Sequence, residues 1–172
     1  MADADDGPGE VDGVFALPRG ATGFLRPQEG LPLPETDPRA FRAALYAAAR
    51  AACGRVGEVE ERAYPRTFHT ASVGVHGGAA ERTEHIVLCH AHLPWVAFVR
   101  ERRDWYADPD GFLDAPPWAG AFAAAGFTVL TGGQLAVPLA GVDTAVLSPV
   151  EWRQVRLYGV TTLGGLLFNA WD

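Results

Sequence analysis

The most regular pattern of apolar and polar positions predicts a helix that begins at Pro38. Its apolar residues recur at helical spacing and would share one face: Phe41, Leu45, Ala48 and Ala49. Asp37 has the side chain of an N-cap, and proline is favoured at the first helical position. Gly54 is suited to ending the helix. The sequence therefore predicts a helix from Pro38 to about Cys53.

From Thr67 onward the pattern changes to that of strands. Segments 68–76 and 85–92 are rich in strand-forming residues, and a glycine-containing loop at 77–84 separates them. This arrangement predicts an antiparallel hairpin. Residues 95–99 are expected to continue the second strand after Pro94, which interrupts the pairing.

A second hairpin and further helices are expected in the C-terminal half. Segments 127–131 and 134–139 flank Gly132-Gly133, a pair typical of a two-residue hairpin turn. A short helix is expected to run from Asp114 through Ala125. Ser148-Pro149-Val150-Glu151 combines a capping box with proline at the first helical turn and predicts a helix that stops near Gly159. The last segment, 162–171, is also predicted to be helical.

These elements predict a single α+β domain over residues 13–172. We expect two layers, in which antiparallel β-hairpins pack against about four helices. Residues 1–12 contain five acidic residues and no basic residue, and are predicted to form a disordered tail. Without the tail, 16 acidic residues face 14 basic ones, so the net charge changes from −7 to −2. A nucleic-acid-binding domain normally has a basic excess, and that class is not expected.

Composition excludes several chemistries and locations. All 14 basic residues are arginine, so neither a Schiff-base lysine nor a Walker A loop is available. The lack of lysine and the abundance of Ala, Gly, Pro and Arg favour a high-GC, actinobacterial genome. No apolar run reaches the roughly 20 residues of a membrane span, and the acidic N-terminus is unlike a signal peptide. We therefore expect a cytoplasmic protein with no membrane partner. Cys53 and Cys89 are expected to be small buried residues.

The histidines give the strongest hint of chemistry. All five lie within 24 residues, at positions 69, 76, 85, 90 and 92. If His76 pairs with His85, then His69 pairs with His92, and His69, His90 and His92 converge at one end of the hairpin. Three imidazoles on adjacent strands suit a zinc or iron site with an open position for water. The alternative interpretation gives these histidines structural or partner-contact roles, because Val73, Val75, Ile86 and Leu88 share their face.

An arginine-rich and aromatic segment provides a candidate binding surface. It comprises Arg100, Arg102, Arg103, Trp105 and Tyr106. Arginine and tryptophan are prominent among the residues that dominate binding energy in protein interfaces. Glu101 and Asp104 lie in the same segment, so local ion pairs that anchor a loop are the alternative interpretation.

Two short stretches carry a resemblance. Residues 88–98 read LCHAHLPWVAF, and the chain ends in TTLGGLLFNAWD. A strand closed by a proline–aromatic pair, together with a terminal FN-x-WD, resembles small actinobacterial proteins, some of which are similar to immunity proteins of polymorphic toxin systems. The resemblance implies a binding protein and assigns no role to individual residues.

Two functional hypotheses follow from the sequence. The first is a non-enzymatic binding protein of the immunity or accessory type, without a cofactor, that recognises another protein through the arginine and aromatic segment. The second is a small metal-dependent enzyme with zinc or iron held by His69, His90 and His92. Catalysis through a nucleophile has little support, since Ser148 is explained as a helix cap and Ser72 lacks the G-x-S-x-G motif.

Overall fold

A computed structural model describes residues 10–11, 14–24, 32–78 and 81–172. The strands are β1 (Glu10–Val11), β2 (Val14–Ala16), β3 (Arg55–Glu60), β4 (Phe68–His76), β5 (Arg82–His90), β6 (Trp95–Val99), β7 (Phe112–Leu113), β8 (Thr128–Val129) and β9 (Val142–Asp143). The α-helices are α1 (Pro38–Ala51), α2 (Gly120–Ala124), α3 (Gly132–Leu135), α4 (Pro149–Leu157) and α5 (Leu163–Leu167). The tail predicted at residues 1–12 lies outside the described residues, except for the two residues of β1.

Within these ranges the strands form two sheets. The larger sheet has the order β3-β4-β5-β6-β7 with antiparallel neighbours, and β8 pairs in parallel with β6. The smaller sheet has the order β1-β2-β9, in which β2 and β9 are parallel. The domain therefore combines helices with mixed sheets, which confirms the α+β class.

Both faces of the larger sheet are covered. Phe68, Leu88 and Ala97 pack on one face in a cluster that includes residues of α4 and α5. Ala71, Val87 and Phe98 point to the other face, where a second cluster includes residues of α1 and α2. Helices thus lie on both sides of the sheet, in contrast to the predicted two layers. In agreement with cover on both faces, β4 and β6 are buried along nearly their whole length and not at alternate positions only.

Helix α1 begins as predicted. The Asp37 side chain accepts a hydrogen bond from the Arg39 amide at 2.9 Å, and Pro38 occupies the first turn. The helix ends at Ala51, and Cys53 takes a left-handed conformation with φ 53°. Cys53 is exposed, so the expectation that both cysteines are buried is wrong for this residue. Among the described residues, no helix is long and apolar enough to cross a membrane.

The predicted hairpin at Gly132-Gly133 is wrong. These glycines open helix α3, because Thr131 and Gln134 form a capping box. The Gln134 amide donates to the Thr131 hydroxyl at 3.0 Å, and the Thr131 amide donates to Gln134 Oε1 at 2.9 Å. This local exchange satisfies two free amides of the first helical turn, and it outweighs the turn preference of the glycine pair.

The capping box at Ser148 is confirmed. The Glu151 amide donates to Ser148 Oγ at 3.3 Å, and the Ser148 amide donates to Glu151 Oε2 at 2.8 Å. Helix α4 follows and Gly159, with φ 63°, lies just beyond its end. Helix α5 is shorter than predicted, and residues 168–172 beyond it form neither helix nor strand and are mostly buried.

Close packing of α5 makes one glycine essential to the core. A Cβ atom at Gly164 would lie 2.3 Å from Phe112 Cε2 and 3.1 Å from the Leu135 carbonyl oxygen. We expect Gly164→Ala to lower the free energy of unfolding by about 1–3 kcal/mol, the range typical of overpacking. Urea denaturation measures this change.

Gly120→Ala is the matched control, since a Cβ at Gly120 meets nothing within 4 Å. Gly120 opens α2, so alanine there should leave stability unchanged or raise it by up to about 1 kcal/mol. Equal destabilisation by both substitutions would contradict the packing argument.

Candidate functional site

The pairing of β4 with β5 is observed, but its register differs from the predicted one. His69 lies opposite Cys89, and Phe68 lies opposite His90. His69 was expected opposite residue 92, which is three positions away. An odd shift exchanges the two faces of a strand, so His69 and His90 point to opposite sides of the sheet. His92 lies beyond the end of β5, and the predicted convergence of the three histidines on one face is wrong.

Near this end of the hairpin lies a cleft of about 950 Å³. We call it the Arg62 cleft. It lies between the N-terminal segment, the loop that precedes β4, the turn after β5 and the C-terminal residues. Its lining among the described residues is Thr22, Gly23, Phe24, Pro32, Leu33, Glu35, Arg62, Tyr64, Pro65, Arg66, Thr67, His92, Asn169, Trp171 and Asp172.

Thr67 and Asn169 fasten the C-terminal residues to the start of β4. The Thr67 hydroxyl donates to the Leu167 carbonyl at 2.8 Å and accepts from the Asn169 amide at 3.2 Å. The Asn169 side chain donates to the Thr22 carbonyl at 2.9 Å and accepts from the Trp171 amide at 3.2 Å. Three of these four bonds join residues 100 or more positions apart, and together they give the FN-x-WD motif a structural role.

His90 holds the turn after β5. Its Nδ1 accepts hydrogen bonds from the amides of His92 and Leu93, at 3.0 and 3.1 Å. Its Nε2 lies 2.9 Å from the Ala21 carbonyl oxygen. A carbonyl only accepts, so Nε2 must carry the proton and the ring is neutral. Burial lowers the pKa of His90 to about 3, in agreement with this assignment.

His92 is fixed as a hydrogen-bond acceptor toward Arg62. Its Nδ1 lies 2.9 Å from the Pro34 carbonyl oxygen, and its Nε2 lies 3.1 Å from Arg62 Nη1. The carbonyl accepts and the guanidinium only donates, so the proton of the neutral ring is on Nδ1. Burial lowers the pKa of His92, and the positive charge of Arg62 lowers it further.

His69 holds the main chain of the same arginine. The Arg62 amide donates to His69 Nδ1 at 2.9 Å. Burial lowers the pKa of His69, while the nearby carboxylate of Glu61 opposes that shift. His69 and His92 therefore position Arg62 from two sides, one through its backbone and the other through its guanidinium group.

The two arginines of the cleft differ in their partners. Arg66 forms an ion pair with Glu60 and lies over the ring of Phe68, 5.8 Å from its centroid. Arg62 forms no ion pair with any described residue, and its guanidinium contacts the neutral ring of His92. No carboxylate of the described residues therefore neutralises the charge of Arg62 by direct contact.

A group of aromatic side chains lies at the C-terminal end of the chain, and one of them, Trp171, lines the cleft. Tyr158 stacks on Trp171 with ring centroids 5.9 Å apart and an interplanar angle of 12°, and Trp105 meets Tyr158 edge-on at 5.8 Å. Trp171 is buried, and the side chain of Tyr64 is 82% exposed where it lines the cleft. Tyr64 thus presents an exposed aromatic ring in the same cleft as the two arginines, whereas Trp171 has little exposed surface.

The predicted arginine and aromatic surface is only partly exposed. Tyr106 is buried, with its hydroxyl donating to the Glu101 carbonyl at 2.8 Å and accepting from the Arg103 amide at 2.9 Å. Trp105 is half-buried, and its Nε1 donates to the Gly165 carbonyl at 3.0 Å. Both rings therefore fasten their loop to the core, and Tyr106 is unable to contact a partner.

The arginines of that segment also have local partners. Arg103 is exposed and forms an ion pair with Glu101. Arg102 donates to the Glu58 carbonyl at 3.0 Å, at the edge of the sheet. Arg100 is exposed. The local ion pair matches the alternative interpretation of this segment, and a partner contact by Arg100 and Arg103 stays a prediction.

Metal binding by His69, His90 and His92 also stays a prediction. No group of three His, Cys, Asp or Glu side chains in the described part of the chain is arranged to hold an ion. A metal would have to replace hydrogen bonds to Ala21, Pro34 or Arg62, since these occupy ring nitrogens of His90 and His92.

Mass spectrometry of protein purified without a histidine tag tests the predicted metal binding. Near-stoichiometric zinc or iron that is lost in a His90→Ala/His92→Ala variant would support a metal centre.

Comparison of the chain with protein-family models, with curated proteins and with solved structures found no match in any of the three.

Several residues of the cleft were not found by sequence reasoning. Arg62, Thr67 and Asn169 are single residues in segments far apart in the chain, and no short motif links them. His92 was singled out as a candidate metal ligand, and Asn169 lies within the terminal stretch that carries the resemblance.

The neutral histidines predict how stability depends on pH. The folded pKa of His90 is lowered, so the folded protein binds fewer protons than the unfolded chain at acidic pH. The contribution of His90 is fully present above the unfolded pKa of about 6.5 and is lost as the pH falls through the folded pKa. His69 and His92 act in the same direction. We expect the free energy of unfolding to decrease steadily from pH 6.5 to 5.

His90→Asn isolates the largest contribution. The asparagine oxygen can take the place of Nδ1 as acceptor, but the side chain does not titrate. Below pH 6.5 the slope of the unfolding free energy should be smaller than that of the parent protein by up to about 1.4 kcal/mol per pH unit. Urea denaturation over this range measures both proteins, and identical slopes would show that His90 is not held neutral by the fold.

Proposed function

We propose that this protein is a non-enzymatic binding protein of the immunity or accessory type, and that it recognises another protein through the Arg62 cleft. The observation that carries the proposal is the composition of the cleft, whose lining includes Arg62, the exposed ring of Tyr64 and the largely buried ring of Trp171. Arginine, tyrosine and tryptophan are enriched among residues that dominate interface energies. The cleft supplies all three within one concave surface.

The state of the reactive groups supports binding over catalysis. Cys89 is buried, and burial raises the pKa of its thiol, so the thiolate nucleophile is disfavoured. Ser148 is engaged in the cap of α4. His90 and His92 use both ring nitrogens in hydrogen bonds to the protein. These contacts suit a rigid recognition surface, which loses little conformational entropy on binding.

Site-specific crosslinking tests the location of the partner contact. A photoreactive phenylalanine analogue replaces Tyr64 at the cleft, or Tyr46 on α1 as a matched control, since both tyrosines are more than half exposed. In cells of the source organism, we expect one defined protein adduct from position 64 and none at the same mass from position 46. Mass spectrometry identifies the adduct.

Affinity measurements with the purified partner complete the test. Tyr64→Ala should weaken binding by about 1–2 kcal/mol or more, as for a residue near the centre of an interface. Tyr46→Ala should leave the affinity unchanged in titration calorimetry. A partner that binds the Tyr64→Ala variant as tightly as the parent, or adducts that are the same from both positions, would rule out the cleft as the recognition site.

A further inference from the structure

We propose that the Arg62 cleft recognises a carboxylate side chain of the partner, held by the guanidinium of Arg62, with an apolar partner side chain next to it against the exposed ring of Tyr64. This inference rests on the proposed function, since it names the chemistry by which the partner would be bound. It follows from how Arg62 is held and from what lies beside it.

Arg62 is held by acceptors that leave its charge uncompensated. Its amide bonds to His69 Nδ1 and its Nη1 bonds to His92 Nε2, both on neutral rings. A guanidinium has five N–H donors, and of these only one on Nη1 has a partner among the described residues. The remaining donors suit a bidentate carboxylate, the geometry that arginine matches better than lysine.

The position of Arg62 is fixed in advance. His92 is itself tied to the Pro34 carbonyl at 2.9 Å, so its ring is held from both nitrogens. Gly23 packs against this ring with φ 64°, and a Cβ there would lie 3.3 Å from His92 Nε2 and 2.6 Å from Thr67 Cγ2. A donor group that is already positioned pays less entropy when it binds its ligand.

The surroundings of Arg62 favour an acidic residue that has an apolar neighbour. Phe24, Leu33 and Pro65 line the cleft together with the rings of Tyr64 and Trp171. Glu35 lines the same cleft and raises the pKa of His92, so its carboxylate would compete with that of the partner for the arginine. Asp172 is already engaged, as its Oδ1 accepts from the Tyr158 hydroxyl at 2.6 Å.

The test uses two capped tetrapeptides and the full chain. Both peptides have a central phenylalanine, followed in one by aspartate and in the other by asparagine, so they differ only in the carboxylate. Nuclear magnetic resonance follows the amide of Arg62 and the indole N–H of Trp171 during titration at pH 7.5. We expect saturable shifts at both positions, with the aspartate peptide binding about tenfold more tightly or better, as for a hydrogen bond to a charged group.

Variants assign the selectivity to Arg62. Arg62→Met should abolish the preference for the aspartate peptide. Arg153→Met is the matched control, because Arg153 is exposed and does not line the cleft. Glu35→Gln removes the competing carboxylate and should tighten binding of the aspartate peptide by about twofold to fivefold.

Substitutions of His92 test its role as a positioning residue. His92→Gln keeps an acceptor for Arg62 and should retain selectivity between the two peptides, whereas His92→Leu should lose it while remaining folded by circular dichroism. A general loss of structure would lower binding of both peptides and leave their ratio unchanged, so the ratio separates positioning from folding.

The outcomes separate this inference from the proposed function. Equal affinity for the two peptides, or selectivity that survives Arg62→Met, would overturn the carboxylate assignment even if crosslinking at Tyr64 had found a protein partner. A second result would also overturn it. In that result the protein binds a free acid such as N-acetylphenylalanine more tightly than its amide, but binds the aspartate and asparagine peptides equally. Aspartate selectivity at Arg62 without any protein adduct at Tyr64 would support the recognition chemistry and count against the proposed function alone.

Discussion

One buried imidazole, that of His90, joins the N-terminal segment, the central sheet and the C-terminal residues. Its Nε2 is bonded to the Ala21 carbonyl, its Nδ1 accepts two amides of the turn after β5, and its ring packs against Phe168 with centroids 6.1 Å apart. Two buried amides would lose their acceptor if this ring were removed or protonated, and each such loss costs about 1–3 kcal/mol. The turn held in this way places His92, and His92 in turn places Arg62.

Local signals in the sequence predicted the elements whose cause is local. Asp37 and Ser148 were predicted as helix caps because a cap depends only on residues within one turn of the helix start. The Gly132-Gly133 turn was wrong for the same kind of reason, since Thr131 and Gln134 form a competing local motif that was overlooked. Tyr106 shows where local signals in the sequence fail. Its burial depends on contacts with Phe68 and Phe112, which no local pattern reveals.

The candidate site was harder to predict because it depends on register and on distant segments. A three-residue error in pairing β4 with β5 was enough to put His69 on the wrong face relative to His90. Thr67 and Asn169 lie 102 residues apart, and the bond between them exists only after the sheet has formed. His69, His90 and His92 each accept hydrogen bonds from other groups of the protein. These bonds depend on partners that the sequence does not place together, so the sequence could not predict them.

Neutral histidines have a consequence for the arginine that they hold. A carboxylate partner would fix Arg62 equally well, but it would also neutralise the charge and compete with an incoming anion. An imidazole acceptor fixes the guanidinium and leaves its charge in place. The energetic cost falls on the histidines, whose pKa values are lowered, and burial contributes most of that shift. Stability near neutral pH and a charged, pre-positioned arginine therefore depend on the same condition, namely that His69 and His92 stay unprotonated.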